Sequence, residues 1–151
     1  MRKPLFIAHR GNTSGAQPSF ENKIEYLYHA LDQNYGIEVD VREHNGKLYF
    51  GHDEPQEEIN WNILTNKHSF VHLKNKGAVE LLFDRIDIMN MFWHDDDKMT
   101  FTTYGNIWCY PNVFVNHSSA IWLELGGVSF DSIPKTIYGV CADKIKDWKF
   151  I

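Results

Sequence analysis

Cysteine is nearly absent from this chain: Cys109 and Cys141 are the only two. Both fall inside strand-like segments with no CxxC spacing, so buried free thiols are expected rather than a disulfide framework or a zinc site. Long apolar runs are also missing. Nothing approaches the roughly 20 residues of a membrane-spanning helix, and the run at residues 5–8 is too short for the core of a secretory leader. No stable membrane anchor is expected, and the cytoplasm is the default location. Basic stretches are absent too. The net charge is −5 with no Lys/Arg run to offset it, which argues against nucleic acid as the main partner. A phosphate ligand is not excluded, because a few local cations decide that. There is no internal repeat, low-complexity tract or linker, and 151 residues hold one hydrophobic core rather than two, so residues 1–151 are expected to form one domain.

What is present is an ordinary soluble composition, 43% hydrophobic and 23% charged. Aromatics reach 15% with five Trp, read first as a bulky core and second as walls around a ligand. Strand-like runs recur at residues 5–9, 37–42, 48–50, 70–74, 89–93, 99–103, 107–110, 120–125 and 138–142. In the first half, helical segments separate them. Residues 20–34 carry Ile24, Leu27, Tyr28 and Leu31 at helical spacing, with Ser19 as N-cap and Gly36 as the stop. Residues 57–64 and 78–83 also read as helical, and Asn45-Gly46 reads as a hairpin turn. In the second half the gaps after residues 93 and 103 are too short for crossover helices. Eight of these strands, with polar residues at their C-terminal ends, lead to an α/β expectation: a compact TIM (β/α)8 barrel with several outer helices reduced to loops. An open α/β sheet is the alternative.

Four segments place chemically capable residues where an apolar run ends: His9-Arg10-Gly11, Glu21-Asn22, Glu38-Val39-Asp40 and Gly51-His52-Asp53. A histidine after a strand can transfer protons near neutral pH. Arg10 offers a planar fork to phosphate oxygens, and Gly11 lets the backbone turn away. Glu38 and Asp40, two apart on a strand, share one face, while Ile37, Val39 and Val41 take the other. Inward carboxylates call for a cation, and paired oxygen ligands suit Mg²⁺, Ca²⁺ or Mn²⁺. The bland alternative is the solvent-facing side of an edge strand. An acid, a base, an anion clamp and a cation site are the parts that metal-assisted phosphodiester cleavage uses.

The order and spacing of these segments resemble the glycerophosphodiester phosphodiesterase family, a branch of the phospholipase-C-like phosphodiesterases. The resemblance is specific over residues 5–54 and thin beyond. It implies Glu38 and Asp40 as metal ligands, His52 as a second acid/base group beside His9, and Lys74 as a phosphate contact. The chain also departs from the family pattern. Pro18-Ser19-Phe20-Glu21-Asn22-Lys23 replaces a Pro-Glu-Asn-Thr signature, so Glu21 reads mainly as a stabilising acid in a first helical turn, with Asn22 reaching toward the mouth. His72 stands where the family presents a third carboxylate. The preferred reading is ligation through nitrogen; the alternative is a site that holds metal weakly or not at all. Asp53 reads first as a turn residue, with the orienting of a histidine as the alternative. The run Trp93-His94-Asp95-Asp96-Asp97 would lie near the mouth as a solvated loop. Glu124 is a candidate substitute ligand, and Trp108 and Tyr110 are candidate pocket walls or core. Asp143, in an ending similar to the family's last strand, is expected to cap a closing helix.

The resulting expectation is a metal-dependent hydrolase of a small phosphodiester. His9 and His52 are its catalytic pair, Arg10 and Lys74 bind substrate, and Glu38, Asp40 and His72 hold a divalent cation, Mg²⁺ or Ca²⁺ first and Mn²⁺ second. A phosphate-binding module that lost activity, and a lyase or transferase on the same scaffold, are the alternatives.

Overall fold

The computed structural model describes residues 2–124, 130–146 and 148. Alternation along the strands organises it. On β1 (Leu5–His9), β2 (Gly36–His44), β5 (Ser69–Leu73) and β10 (Gly139–Ala142), successive side chains go to opposite faces of one sheet. Ala8, Ile37, Val39, Val41, Val71, Leu73 and Ala142 build the core beneath the helices. Ile7, Phe70 and Cys141 pack on the other face with Phe92, Trp108 and Ile121.

Seven strands run parallel. β1 lies between β2 and β10. On one side β2 leads to β5 and then β6 (Met91–Trp93). On the other side β10 leads to β9 (Ala120–Glu124) and β8 (Ile107–Cys109). Three antiparallel pieces complete the ten-stranded sheet. The Asn45-Gly46 turn, with φ of 50° and 81°, sends β2 back into β3 (Lys47–Phe50), as left-handed Asn-Gly pairs favour. β4 (Glu57–Glu58) pairs with β3, and β7 (Met99–Phe101) turns back on β8. The described α-helices are short and none lies beyond residue 82: α1 (Ile24–Asp32), α2 (Trp61–Leu64) and α3 (Lys76–Leu82). No described helix is long and apolar enough to cross a membrane.

The barrel expectation is therefore overturned. The sheet is mixed, three short helices are too few for a (β/α)8 barrel, and β6 and β7 do not pair as strands. Five residues separate those two strands (94–98), which suits a reversal and cannot hold a parallel crossover of a dozen or more residues. The ends meet only through loop bonds, such as Thr103 N–H to the Met91 carbonyl at 2.9 Å, and through ring packing. Phe92 and Trp108 stack with centroids 4.4 Å apart.

Two helices also begin later than the sequence suggests. Asn22 has φ 64°, incompatible with a right-handed helix, so α1 starts at Ile24 and Ser19 does not cap it. Within 57–64, the Asn60 side chain accepts from Ile63 N–H. It thereby caps a helix of only four residues, leaving Glu57–Glu58 as strand. Cys109 and Cys141 are free and buried.

Candidate functional site

The face that buries Ile7, Phe70 and Cys141 becomes polar two residues further along each strand. Ile7 is followed on it by His9, Phe70 by His72 and Cys141 by Asp143. On β2 the same face carries Glu38 and Asp40. Register sets the neighbours: His9 lies beside Glu38 and Asp40 beside His72. A cleft of about 280 Å³ opens there, lined by His9, Arg10, Glu38, His52, His72 and Lys74 on its charged side. His94, Asp95, Trp108, Tyr110, Pro111 and Leu123 complete it. All seven sequence-derived site residues except Asp40 thus border one cavity, and Asp40 lies just beneath it.

Glu38 is 3% exposed and Asp40 0%, so both carboxylates have lost their water. Asp40 Oδ2 accepts from Asn22 Nδ2–H at 2.9 Å and faces Arg10 Nε at 3.2 Å. Asn22 Oδ1 in turn accepts from the Asp40 backbone N–H at 3.0 Å. Burial by itself would raise the Asp40 carboxyl, but the adjoining His72, Arg10 and Asn22 hold it below the usual range. Glu38 is pushed up to about 7 by burial and by the Asp40 charge beside it. Among the described residues Glu38 Oε1 has no hydrogen-bond partner, and Asp40 Oδ1 has only His72 Nδ1, 3.3 Å away. Glu38, Asp40 and His72 can each aim one ligand atom at a common point, with those atoms within 4.8 Å of one another. A divalent cation fits this donor set, since it would satisfy the orphaned oxygens and relieve the repulsion.

Each histidine is held by a carboxylate. His9 Nδ1–H donates to Asp143 Oδ1 at 2.8 Å, and its Nε2 lies 3.5 Å from Glu38 Oε2. Burial alone would lower the His9 pKa, but Glu38 and Asp143 raise it. His52 Nδ1–H donates to Asp53 Oδ1 at 2.8 Å, so Asp53 orients a ring as well as turning the loop. The His52 pKa is lowered by burial, with Arg10 and Lys74 adding to that against the pull of Asp40.

Arg10, the expected phosphate contact, borders the cleft and also has two carboxylate partners. Its guanidinium is held by Asp40 and by Glu21 Oε1 at 3.2 Å, which also shows what Glu21 does in place of supporting a helix. Glu124 shares the face of Trp122, opposite Leu123, and it is Leu123 that lines the cleft. The expected strand residue Leu125 lies outside the described residues.

Three supporting roles differ from or go beyond what the sequence suggests. Asp143 accepts from His9 and from Asn12 Nδ2–H at 2.9 Å, and no described helix follows for it to cap. Its place two residues after the inward Cys141 was the available signal. Asn12 also accepts from Tyr26 O–H at 2.9 Å. Arg42 donates to the His52 carbonyl at 2.6 Å and the Gly51 carbonyl at 3.3 Å, pinning the loop that carries His52. Nothing in residue type alone marks that contact.

Gly51 makes the same loop possible. Its φ is 154°, and a Cβ there would sit 1.9 Å from the Glu54 carbonyl oxygen. The Gly51→Ala protein is expected to lose about 3 kcal/mol in urea unfolding, combining left-handed strain with a backbone clash. A loss under about 0.5 kcal/mol, within the range of an ordinary surface substitution, would show that the loop adapts.

No family model, curated protein or solved structure matches this chain.

Proposed function

We propose that this protein is a metal-dependent phosphodiesterase acting on a small glycerophosphodiester-like substrate, working in the cytoplasm. One observation carries the reading. His9 and His52, each oriented by its own carboxylate, border the same cleft as a buried Glu38–Asp40–His72 cluster with orphaned oxygens. The modest cavity volume suits a headgroup-sized diester rather than a polymer.

Glu38, Asp40 and His72 would hold the divalent cation, whose chemistry is to polarise the phosphoryl oxygen and neutralise developing charge. Arg10 and Lys74 place fixed positive charge along the cleft for the remaining phosphate oxygens. With Nδ1–H directed at Asp53, neutral His52 leaves Nε2 as a bare acceptor, the form of a general base. It takes the proton from an attacking water or substrate hydroxyl as the new P–O bond forms. His9 then protonates the departing alkoxide as the old P–O bond breaks, and Asp143 fixes its ring. If the attacking group is the substrate's own hydroxyl, the product is a cyclic phosphate.

A panel of phosphodiesters assayed with and without added divalent cation tests this reading. Cation-dependent release of alcohol with a phosphomonoester is the expected outcome. A cyclic phosphate that accumulates unhydrolysed would make the protein a lyase. Tight substrate binding without any turnover would make it a binding module.

A further inference from the structure

His72 is fixed on two sides. Its Nε2 lies 2.9 Å from the His94 carbonyl oxygen, which can only accept, so Nε2 carries the proton. Its ring stacks on Phe92, with centroids 4.7 Å apart and planes 19° from parallel. In the neutral ring the lone pair is therefore on Nδ1, and Nδ1 faces Asp40 Oδ1 at 3.3 Å. Two acceptors face each other at that distance only with a positive species between them or a proton added to the ring. A backbone carbonyl on the far nitrogen is the usual way a protein locks a metal-binding histidine in the required tautomer.

We infer that the site selects a later first-row transition cation of the Co²⁺–Zn²⁺ class over Mg²⁺ and Ca²⁺, with His72 Nδ1 as its nitrogen ligand. The inference rests on the cation reading above and goes beyond it. Ca²⁺ needs six to eight oxygens and Mg²⁺ prefers an oxygen octahedron rich in water. Here one donor in three is an imidazole nitrogen, and imidazole suits transition ions. The two carboxylates alone would serve any hard cation; the locked ring is what biases the choice.

Raw affinity does not test this, because first-row ions rise in affinity along their series at almost any site. The test is an exchange of selectivity. The full chain and its His72→Glu variant are titrated calorimetrically with Co²⁺, Mn²⁺, Mg²⁺ and Ca²⁺, and the visible absorption of bound Co²⁺ is recorded. Replacing nitrogen by a third carboxylate is expected to narrow the Co²⁺ to Mg²⁺ affinity ratio by about 10-fold or more and to change the Co²⁺ spectrum. His72→Gln, with its folding checked by circular dichroism, serves if the glutamate variant does not fold; it should lose the Co²⁺ preference as well. An unchanged ratio and spectrum in the folded variants would overturn the inference while leaving a cation site standing. Failure of the wild-type chain to bind any of the four ions would overturn the cation reading and this inference together.

Discussion

Titration of the Asp40→Asn protein with Mn²⁺ is expected to give no measurable heat of binding, whereas the wild-type chain should bind. Asp40 would supply one of two negative ligands, and its Oδ1 is the oxygen left facing His72. The amide preserves shape and can still meet Asn22, so the substitution isolates charge from packing. Glu38→Gln should abolish binding for the same reason. It should leave folding intact, because it removes a buried acid that sits beside Asp40 and is already pushed up to about 7. Thermal unfolding provides a second readout. At a cation concentration of 100 Kd the wild-type fold gains about 2.7 kcal/mol, which appears as a rise in Tm. Neither variant should show it. If both variants bind Mn²⁺ as tightly as the wild-type chain, these carboxylates are structural and the cation reading fails.

The second large effect is on proton transfer. His9→Ala and His52→Ala should each lower turnover of an unactivated phosphodiester by about 10² or more. Both rings border the cleft, and Asp143 keeps a partner in Asn12 when His9 is removed, so folding should survive. The two variants should part company on a nitrophenyl diester, whose leaving group needs no proton. His9→Ala, lacking the acid, should recover much of its rate, and His52→Ala, lacking the base, should not. The reverse pattern would exchange the roles. Near-normal activity of both variants on every hydrolysed substrate would remove the histidines from the mechanism.

How much of this was legible beforehand depends on how local each feature is. Ile37-Glu38-Val39-Asp40-Val41 displays its two faces within five residues, so a shared polar face for the carboxylates can be read directly from alternation. The same holds for the Asn45-Gly46 reversal. Strand direction is less local. Counting eight strands says nothing of which way β7 runs, and the five-residue link before it decides that the sheet stays mixed and unclosed. The start of α1 was hidden in the backbone of Asn22, whose left-handed φ serves Asp40 rather than the helix. Asp143 reads locally as a helix cap because its actual partner is His9, 134 positions away, and no local pattern announces such a pair. The chemistry of Arg10 suits phosphate and carboxylate equally, and nothing in residue type announces that Glu21 and Asp40 hold its guanidinium at the cleft.

The pairing of β1 with β10, Leu5 against Gly139 through Ala8 against Ala142, has a consequence for when the molecule becomes competent. β1 and β2 carry His9, Glu38 and Asp40 and can pair with each other before β10 is in place. His9 then lacks the carboxylate that orients it, and β1 has an open edge where β10 will dock. Long-range pairings of this kind form slowly, since loop-closure entropy must be overcome before any contact compensates it. Until β10 pairs with β1, a folding chain therefore holds most of the site's residues without the contact that orients His9. The oriented centre depends on β10 docking along the edge of β1.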